Sequence, residues 1–256
     1  MTITKTKNKN LVSIIIPTKN RYKLLKRAVD SILSQTYKNL EIVIVDDGST
    51  DNTELIIKEL MSNNKHIIYS KLKNAKGANA ARNQAIKLSS GEFITGLDDD
   101  DEMMPDRVEK MVSQYDNSFA YIFSGYELIT KTFSILQVPS HSIITQDMML
   151  CTNMTGSQVL TTKAMFLKAG LYDESLGAAQ DYDMWLRLLE IIPRAKAIKE
   201  PLMKVYAGHQ QISSSPLKLK GYLQCYNKHK KNMSIHQRKM RLFELRYKIK
   251  KHDVKL

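Results

Sequence analysis

Four consecutive aspartates, Asp98 to Asp101, follow the apolar run Phe93-Ile94-Thr95-Gly96-Leu97. Two carboxylates about 4 Å apart, at an effective dielectric of ~20, repel by roughly 4 kcal/mol. A solvated loop capping a helix before Pro105 explains one or two of them, but not four at the mouth of a buried strand. A hard divalent cation reverses the repulsion, and carboxylate oxygens suit Mg2+ or Mn2+. Such ions keep several waters and take substrate phosphates as further ligands, so the run points to a phosphorylated ligand. A second acidic loop, DDGSTD, spans residues 46–51. It is an Asx-rich turn whose carboxylate can also accept hydrogen bonds from a base N–H or from ribose hydroxyls. In GAAQDYDMWLRL, residues 177–188, Asp181 either caps a helix or acts as a general base beside the cation, and Trp185 reads as core. His209 stands alone in a polar loop, as a surface histidine or as a metal or phosphate contact. Neither GxxxxGK[ST] nor GxGxxG occurs, which disfavours a P-loop NTPase and a dinucleotide enzyme.

These loops are placed by an alternation of elements. The β-branched run Val12 to Ile16, ended by Pro17, predicts a buried strand. Leu24, Leu25, Ala28, Val29, Ile32 and Leu33 recur at helical spacing and predict a helix over 22–35. A strand at Glu41–Val45, a helix opened by Asp51 or Asn52, a strand at Ile67–Tyr69, an Ala-rich helix at Ala78–Leu88 and a strand at Phe93–Leu97 follow. Pro105 predicts the first turn of a further helix. Such alternation implies a parallel, doubly wound α/β sheet whose ligands bind beyond the carboxyl ends of the strands. The loops PTKNR, DDGSTD, KNAKGANAARN and DDDD all lie at such ends. After about residue 116 the pattern becomes mixed, with strands expected at Phe119–Phe123, Ser134–Val138 and Gln158–Thr162, and Tyr182, Trp185, Leu186 and Leu189 striping one helix.

The chain has 256 residues and a net charge of +13. From Leu217 to Leu256 thirteen Lys/Arg face two acidic residues, so +11 of that charge sits in a basic helical tail. Two distant cysteines suggest neither a disulfide framework nor a zinc site, and a reducing cytoplasm fits. The N-terminal ten residues lack the apolar core of a signal peptide, and no apolar run nears the ~20 residues that span a bilayer. A soluble or peripheral protein is expected.

VSIIIPTKNRYKLLKRAVDSILSQTYKNLEIVIVDDGSTDNT, then GANAARNQAI, GEFITGLDDDDEMMPDRVEKM and GLYDESLGAAQDYDMWLRL, in that order, resemble the family 2 glycosyltransferases of GT-A fold. The likeness runs over about residues 11–210. It implies a GT-A domain over 1–210, with a Rossmann-like nucleotide-sugar half (11–115) around a mostly parallel sheet and a mixed acceptor half (116–210). A basic amphipathic tail (211–256) lies outside it. The implied reaction moves a sugar, with inversion, from a nucleotide-sugar, UDP-linked by preference, to a hydroxyl. The acceptor would be a glycan or lipid-linked saccharide, as in bacterial surface-polysaccharide synthesis.

The resemblance assigns roles to positions. Asp181 would be the catalytic base. Pro17, Thr18, Asn20, Arg21, Asp47, Arg82, Asp98 and Asp99 would line the nucleotide, Asp47 at the uracil edge and Asp98 at the ribose. Asp100 would bind Mn2+ or Mg2+, with Asp101 beside it and His209 as a late contact. Gln180 and Trp185 would face the acceptor. Three positions depart from the family pattern. Lys19 replaces an aromatic that can stack on the base, Gln180 replaces a glutamate, and Asp99 fills the variable place of DxDD.

Residues 217–256 interleave cations with apolar side chains, which suits an anionic membrane surface on the inner face of the cytoplasmic membrane. A homodimer contact and a solvated basic helix are the other readings. Nucleic acid is disfavoured because no recognition motif accompanies the charge. The rival functions are a nucleotidyltransferase, which should carry a glycine-rich loop where PTKNR stands, and a non-catalytic nucleotide-sugar binder.

Overall fold

The computed structural model describes residues 10–156, 158–207 and 215–253, with side chains from 219 to 246 in the last segment. The His209 expectation, and the part of the tail expectation that concerns side chains after residue 246, lie outside the described residues or side chains. The chain opens as β1 (Val12–Thr18), α1 (Tyr22–Leu33), β2 (Leu40–Asp46), α2 (Thr53–Asn63), β3 (Ile67–Lys71), α3 (Ala78–Leu88) and β4 (Phe93–Gly96). These four strands pair in parallel in the order β3-β2-β1-β4.

Successive side chains of a strand point to opposite faces, so helices on both faces require a strand apolar throughout. Val12, Ile14 and Ile16 pack with Leu25, Ala28, Val29 and Ile32 of α1. Ile15, Val43 and Val45 pack on the other face with Ala81, Ala85 and Ile86 of α3.

The first strand does not end at Pro17 as expected but runs to Thr18. Leu97 N–H donates to the Ile15 carbonyl, so residue 15 and, two places on, Pro17 face β4. That strand stops at Gly96, opposite Ile15. The missing N–H of Pro17 therefore faces no ladder.

The second half runs β5 (Glu102–Met103), α4 (Arg107–Ser113), β6 (Ile122–Ile129), β7 (Ser134–Gln137), β8 (Ile143–Thr145), α5 (Gln146–Cys151), β9 (Leu160–Thr162), α6 (Lys163–Lys168), α7 (Gln180–Ile191) and β10 (Arg194–Tyr206). The sheet continues β4-β9-β6-β10-β5. Strand β9 enters antiparallel between β4 and β6, while β6 and β10 are parallel. The strand expected at Phe119–Phe123 instead starts at Ile122 and extends through Ser124, Gly125 and Glu127 to Ile129, because β10 and β7 supply its partners there. The helix after Pro105 begins at Arg107.

Trp185 is 1% exposed, packed among Tyr121, Phe166 and Tyr172, with its Nε1–H donating to the Gly156 carbonyl at 3.1 Å. The expectation that it faces the acceptor is corrected: its ring is enclosed by core aromatics and offers no surface to a ligand.

The tail forms α8 (Ser215–His229), a 3-10 turn (Lys230–Asn232) and α9 (Ile235–Asp253). Cys225 and Met233 join the core layer that holds Trp185. A Cβ added to Gly221 would meet the Ala178 backbone nitrogen at 2.4 Å, so α8 lies against the start of α7 because residue 221 has no side chain.

Fully buried Asp183 clamps α8 to α7. Its Oδ2 accepts from Arg187 Nη2 at 2.7 Å, and its Oδ1 lies 2.9 Å from His229 Nε2 and 3.0 Å from Lys228 Nζ. Burial opposes ionisation, but His229, Arg187 and Lys228 together hold the carboxyl down at about 2. Cys225, Asp183 and His229 bring their ligand atoms within 4.8 Å of one another. The carboxylate already serves two cations and an imidazole, so the cluster is read as this clamp.

We predict that Asp183→Asn lowers stability by about 3 kcal/mol, since it leaves buried donors without their anion. The folded pKa is depressed, so the wild-type advantage is complete above the ordinary value of 3.8 and fades as pH falls through about 2. Thermal midpoints measured from pH 7 down to pH 2 test this, and equal midpoints at pH 7 would exclude the clamp.

Candidate active site

The rim is built from the carboxyl ends of β1, β2 and β4. Beyond β1, Asn20 takes a left-handed φ of 54°. Asparagine tolerates that conformation because its side chain can bond locally. Here Asn20 N–H donates to Ser49 Oγ at 2.8 Å and its Oδ1 accepts from Thr50 N–H at 2.8 Å, tying PTKNR to DDGSTD. Beyond β2, Asp46 accepts from Ser49 N–H and from the Tyr69 hydroxyl. Asp47 accepts from the N–H groups of Lys76 and Gly77, and Lys19 Nζ stands 3.9 Å away. Asp47 thus holds the loop before α3 against the rim and keeps lone-pair capacity for a ligand N–H.

The four aspartates have four different environments. Asp98 pairs with Arg82 at 2.8 Å. Asp99 is buried and accepts from Thr18 Oγ1 at 2.7 Å and Arg21 Nη1 at 3.1 Å. Asp100 accepts from the same Arg21 nitrogen at 2.8 Å. Asp101 is buried and accepts from Tyr206 N–H at 3.0 Å. Burial pushes the Asp99 carboxyl up to about 6, moderated by Thr18 and Arg21. Burial and the charge of Asp98 push Asp101 up to about 8, against the Tyr206 N–H bond. The expectation that Asp99 lines the nucleotide is corrected: both its oxygens are turned inward onto Thr18 and Arg21. The same bond turns the Thr18 hydroxyl inward.

Asp181 is the second residue of α7, and Ala179, at a left-handed φ of 59°, holds the N-cap place. The capping reading of Asp181 therefore lapses. Its Oδ1 is buried without a hydrogen-bond partner, as is Gln180 Oε1 beside it. Burial pushes the Asp181 carboxyl up to about 6, opposed by Arg82 and reinforced by Asp98. Arg82 links the base candidate to the acidic loop. It pairs with Asp98, feels the Asp181 charge and lies 5.6 Å from the Tyr172 ring.

Two groups of residues had not been singled out by the sequence reading. Asn79 and Asn83, one turn apart on α3, bind the loop ahead of α7. Asn79 Nδ2 donates to the carbonyls of Asp173 and Leu176, and Asn83 Nδ2 to that of Tyr172, whose N–H returns a bond to Asn83 Oδ1. The i, i+4 spacing in GANAARN was the available signal. Arg27 donates to the Asp100 carbonyl at 2.5 Å, pairs with Glu102 at 3.1 Å and stacks 3.9 Å from the Tyr206 ring. Nothing in the sequence marks that cluster.

The acidic loop fits a hard cation. Guanidinium groups already lie against its carboxylates, and oxygen donors of this kind suit Mg2+ or Mn2+. Asp100 is the residue that would hold it, since its carboxylate is less buried than those of Asp99 and Asp101 and, among the described residues, pairs with Arg21.

Comparisons with known proteins agree on the class. The family model for glycosyl transferase family 2 matches residues 13–171. WcaA of Escherichia coli (strain K12), whose name places it in colanic acid biosynthesis as a glycosyl transferase, is 37% identical over 93% of this chain and 88% of its own. A Rickettsia typhi glycosyltransferase is 36% identical over 71% of this chain, which spans 59% of that relative. The Campylobacter jejuni GalNAc(5)-diNAcBac-PP-undecaprenol beta-1,3-glucosyltransferase is 30% identical over 69% of this chain and 59% of its own. Among solved structures, Staphylococcus aureus TarS 1-349 with UDP-GlcNAc superposes with a TM-score of 0.70 at 21% identity, covering 83% of this chain and 63% of that one. The Pyrobaculum calidifontis mannosyltransferase with GDP-Man and Mn2+ gives 0.65 at 18%, covering 87% and 65%. At these identities the structural likeness is one of fold. The sequence matches go further: this chain belongs to glycosyl transferase family 2 and is a glycosyltransferase.

Proposed function

We propose that the chain transfers a sugar, with inversion, from a nucleotide-sugar to a hydroxyl of a glycan or lipid-linked saccharide during bacterial surface-polysaccharide synthesis. UDP is the preferred nucleotide and Mn2+ or Mg2+ the cofactor. The observation that carries the proposal is Asp181, a buried carboxylate with an unpartnered oxygen, coupled through Arg82 to Asp98 of the acidic loop. Its raised pKa suits a proton acceptor working near neutrality. Asp181 takes the proton of the attacking hydroxyl, and Gln180 at the head of α7 faces the same acceptor. Arg82 stays cationic and steadies the carboxylates on either side. Asp47 receives a base N–H, Asp98 faces the ribose, and Pro17, Asn20 and Arg21 border the nucleotide. A divalent ion on Asp100 would stabilise the departing nucleoside diphosphate as a Lewis acid. UDP-GlcNAc and GDP-Man in the solved relatives support a nucleotide-sugar donor, and Mn2+ in one of them supports the ion. The names of WcaA and the Campylobacter enzyme support the acceptor class.

A panel of UDP- and GDP-sugars with and without Mn2+ tests the reading. The expected products are free nucleoside diphosphate and a glycoside. Release of sugar 1-phosphate instead would identify transfer of the nucleotidyl group, and binding without turnover a binder.

No helix among the described residues is long and apolar enough to cross a membrane. On α9, Ile235 and Phe243 are 73% and 72% exposed, in a helix that also carries Lys239 and Arg246. This supports peripheral contact with an anionic bilayer. Co-sedimentation with phosphatidylglycerol vesicles should fall for Ile235→Ser/Phe243→Ser. Unchanged sedimentation would exclude that face, and a concentration-dependent mass shift would favour a dimer.

A further inference from the structure

A groove of about 460 Å3 lies between α1 and β5. Its size falls within the range of small-ligand sites. Four cations line it, Lys23, Lys26, Arg27 and Lys204, against two anions, Asp30 and Glu102. Two of the cations are engaged. Lys26 pairs with Asp30 at 2.8 Å, and Arg27 is held by Glu102, the Asp100 carbonyl and the Tyr206 ring. Among the described residues Lys23 has only the face of the neighbouring Tyr22 ring, and Lys204, opposite Glu102 in the β10–β5 pair, forms no ion pair. The groove therefore presents two uncommitted ammonium groups. Met103, Met104 and Pro105 add apolar atoms to the lining, and Ser34, whose hydroxyl donates to the Ser31 carbonyl, also lines it. Apolar atoms beside hydroxyls and cations match the faces of a sugar ring that bears a carboxylate. Ammonium groups on flexible stems suit a diffuse carboxylate rather than a bidentate one. Arg27 touches both the groove and the Asp100 carbonyl, so an occupant would lie beside the transfer site.

We propose that this groove binds an acidic sugar unit, a uronate or comparable carboxylate-bearing residue, of the acceptor glycan. The proposal rests on the transferase reading above and adds the acceptor's charge to it. WcaA, 88% of whose length this chain covers, is named for the biosynthesis of colanic acid, which accords with the chemistry of the lining. Lys23 and Lys204 act here as specificity-determining residues and take no part in the chemical step.

Calorimetric titration of the full chain with a hexuronate trimer, a neutral hexose trimer of the same length, and inorganic phosphate tests the proposal. UDP with Mn2+ is titrated in parallel. The uronate trimer should bind, and more weakly as salt rises, while the neutral trimer does not. Lys23→Gln/Lys204→Gln should weaken the uronate about tenfold, the sum of two partly screened contacts, and leave UDP affinity unchanged. Ser34→Asp, which adds a carboxylate to the groove's lining, should weaken it as well. Equal binding of acidic and neutral trimers, or unchanged affinity in both variants, overturns the proposal. So does phosphate binding as tightly as the uronate, which would make the groove a phosphate or lipid-headgroup site. A wild-type chain that binds uronate but not UDP would overturn UDP as the donor nucleotide and leave the occupant of the groove standing.

Discussion

Replacing Asp181 with asparagine will reduce sugar transfer on the order of 10³-fold while UDP affinity and the thermal midpoint stay near wild type. Asparagine fills the same space at the head of α7, and the lost oxygen charge is the one that has no hydrogen-bond partner to abandon. The fold therefore has little to lose. The acceptor hydroxyl, by contrast, loses the group that takes its proton. The pH profile gives an independent check. Burial raises the Asp181 carboxyl to about 6, so the basic form is depleted as pH falls below that value. Wild-type kcat/KM should drop tenfold per pH unit below about 6 and level off above it. The residual activity of Asp181→Asn should lack that limb. Near-normal turnover in the variant would remove Asp181 from the mechanism.

Asp100→Asn should cost a similar factor, on the order of 10³-fold, and shift the dependence on Mn2+ to far higher concentrations. The structure separates this residue from its neighbours. Asp100 is partly open and shares Arg21 with Asp99, so Arg21 keeps one carboxylate when the other is neutralised. Asp99→Asn is the informative contrast. Its carboxylate holds the Thr18 hydroxyl and Arg21 from a buried position, so its loss should lower the thermal midpoint more than Mn2+ affinity. Manganese titration followed by electron paramagnetic resonance, together with thermal unfolding of both variants, reads the two effects apart. Tight Mn2+ binding by Asp100→Asn would move the cation to another aspartate of the loop.

The first half was legible because each signal is local. A strand covered on both faces must be apolar throughout, and runs such as Val12-Ser13-Ile14-Ile15-Ile16 state that directly. Acidic loops at the ends of such runs are conspicuous because charge there needs a reason. The second half was less legible. Strand β9 is three residues long and owes its place to β4 and β6, which flank it from distant parts of the chain. Strand β6 extends through polar residues because β10 and β7 supply its partners. Trp185 shows the limit at one residue: an aromatic beside a catalytic motif suits either core or ligand, and the surrounding aromatic rings decide for core.

By itself, then, the sequence determined the doubly wound half, the rim on which the acidic loops gather, and Asp181 as the base candidate. Residue type, period and strand-end position fix the first two, and the family resemblance supplies the third. Only the tertiary structure decided that the four aspartates are unequal. Burial and partners from β1, α1, α3 and β10 turn Asp99 and Asp101 inward and leave Asp98 and Asp100 toward the site. It also decided that the basic tail is packed through Asp183 and Gly221 onto α7 and the residues just before it, and that Lys23 and Lys204 share a groove. Those outcomes depend on contacts between residues up to about 180 positions apart, where electrostatics and packing act through space and leave no periodic trace along the chain.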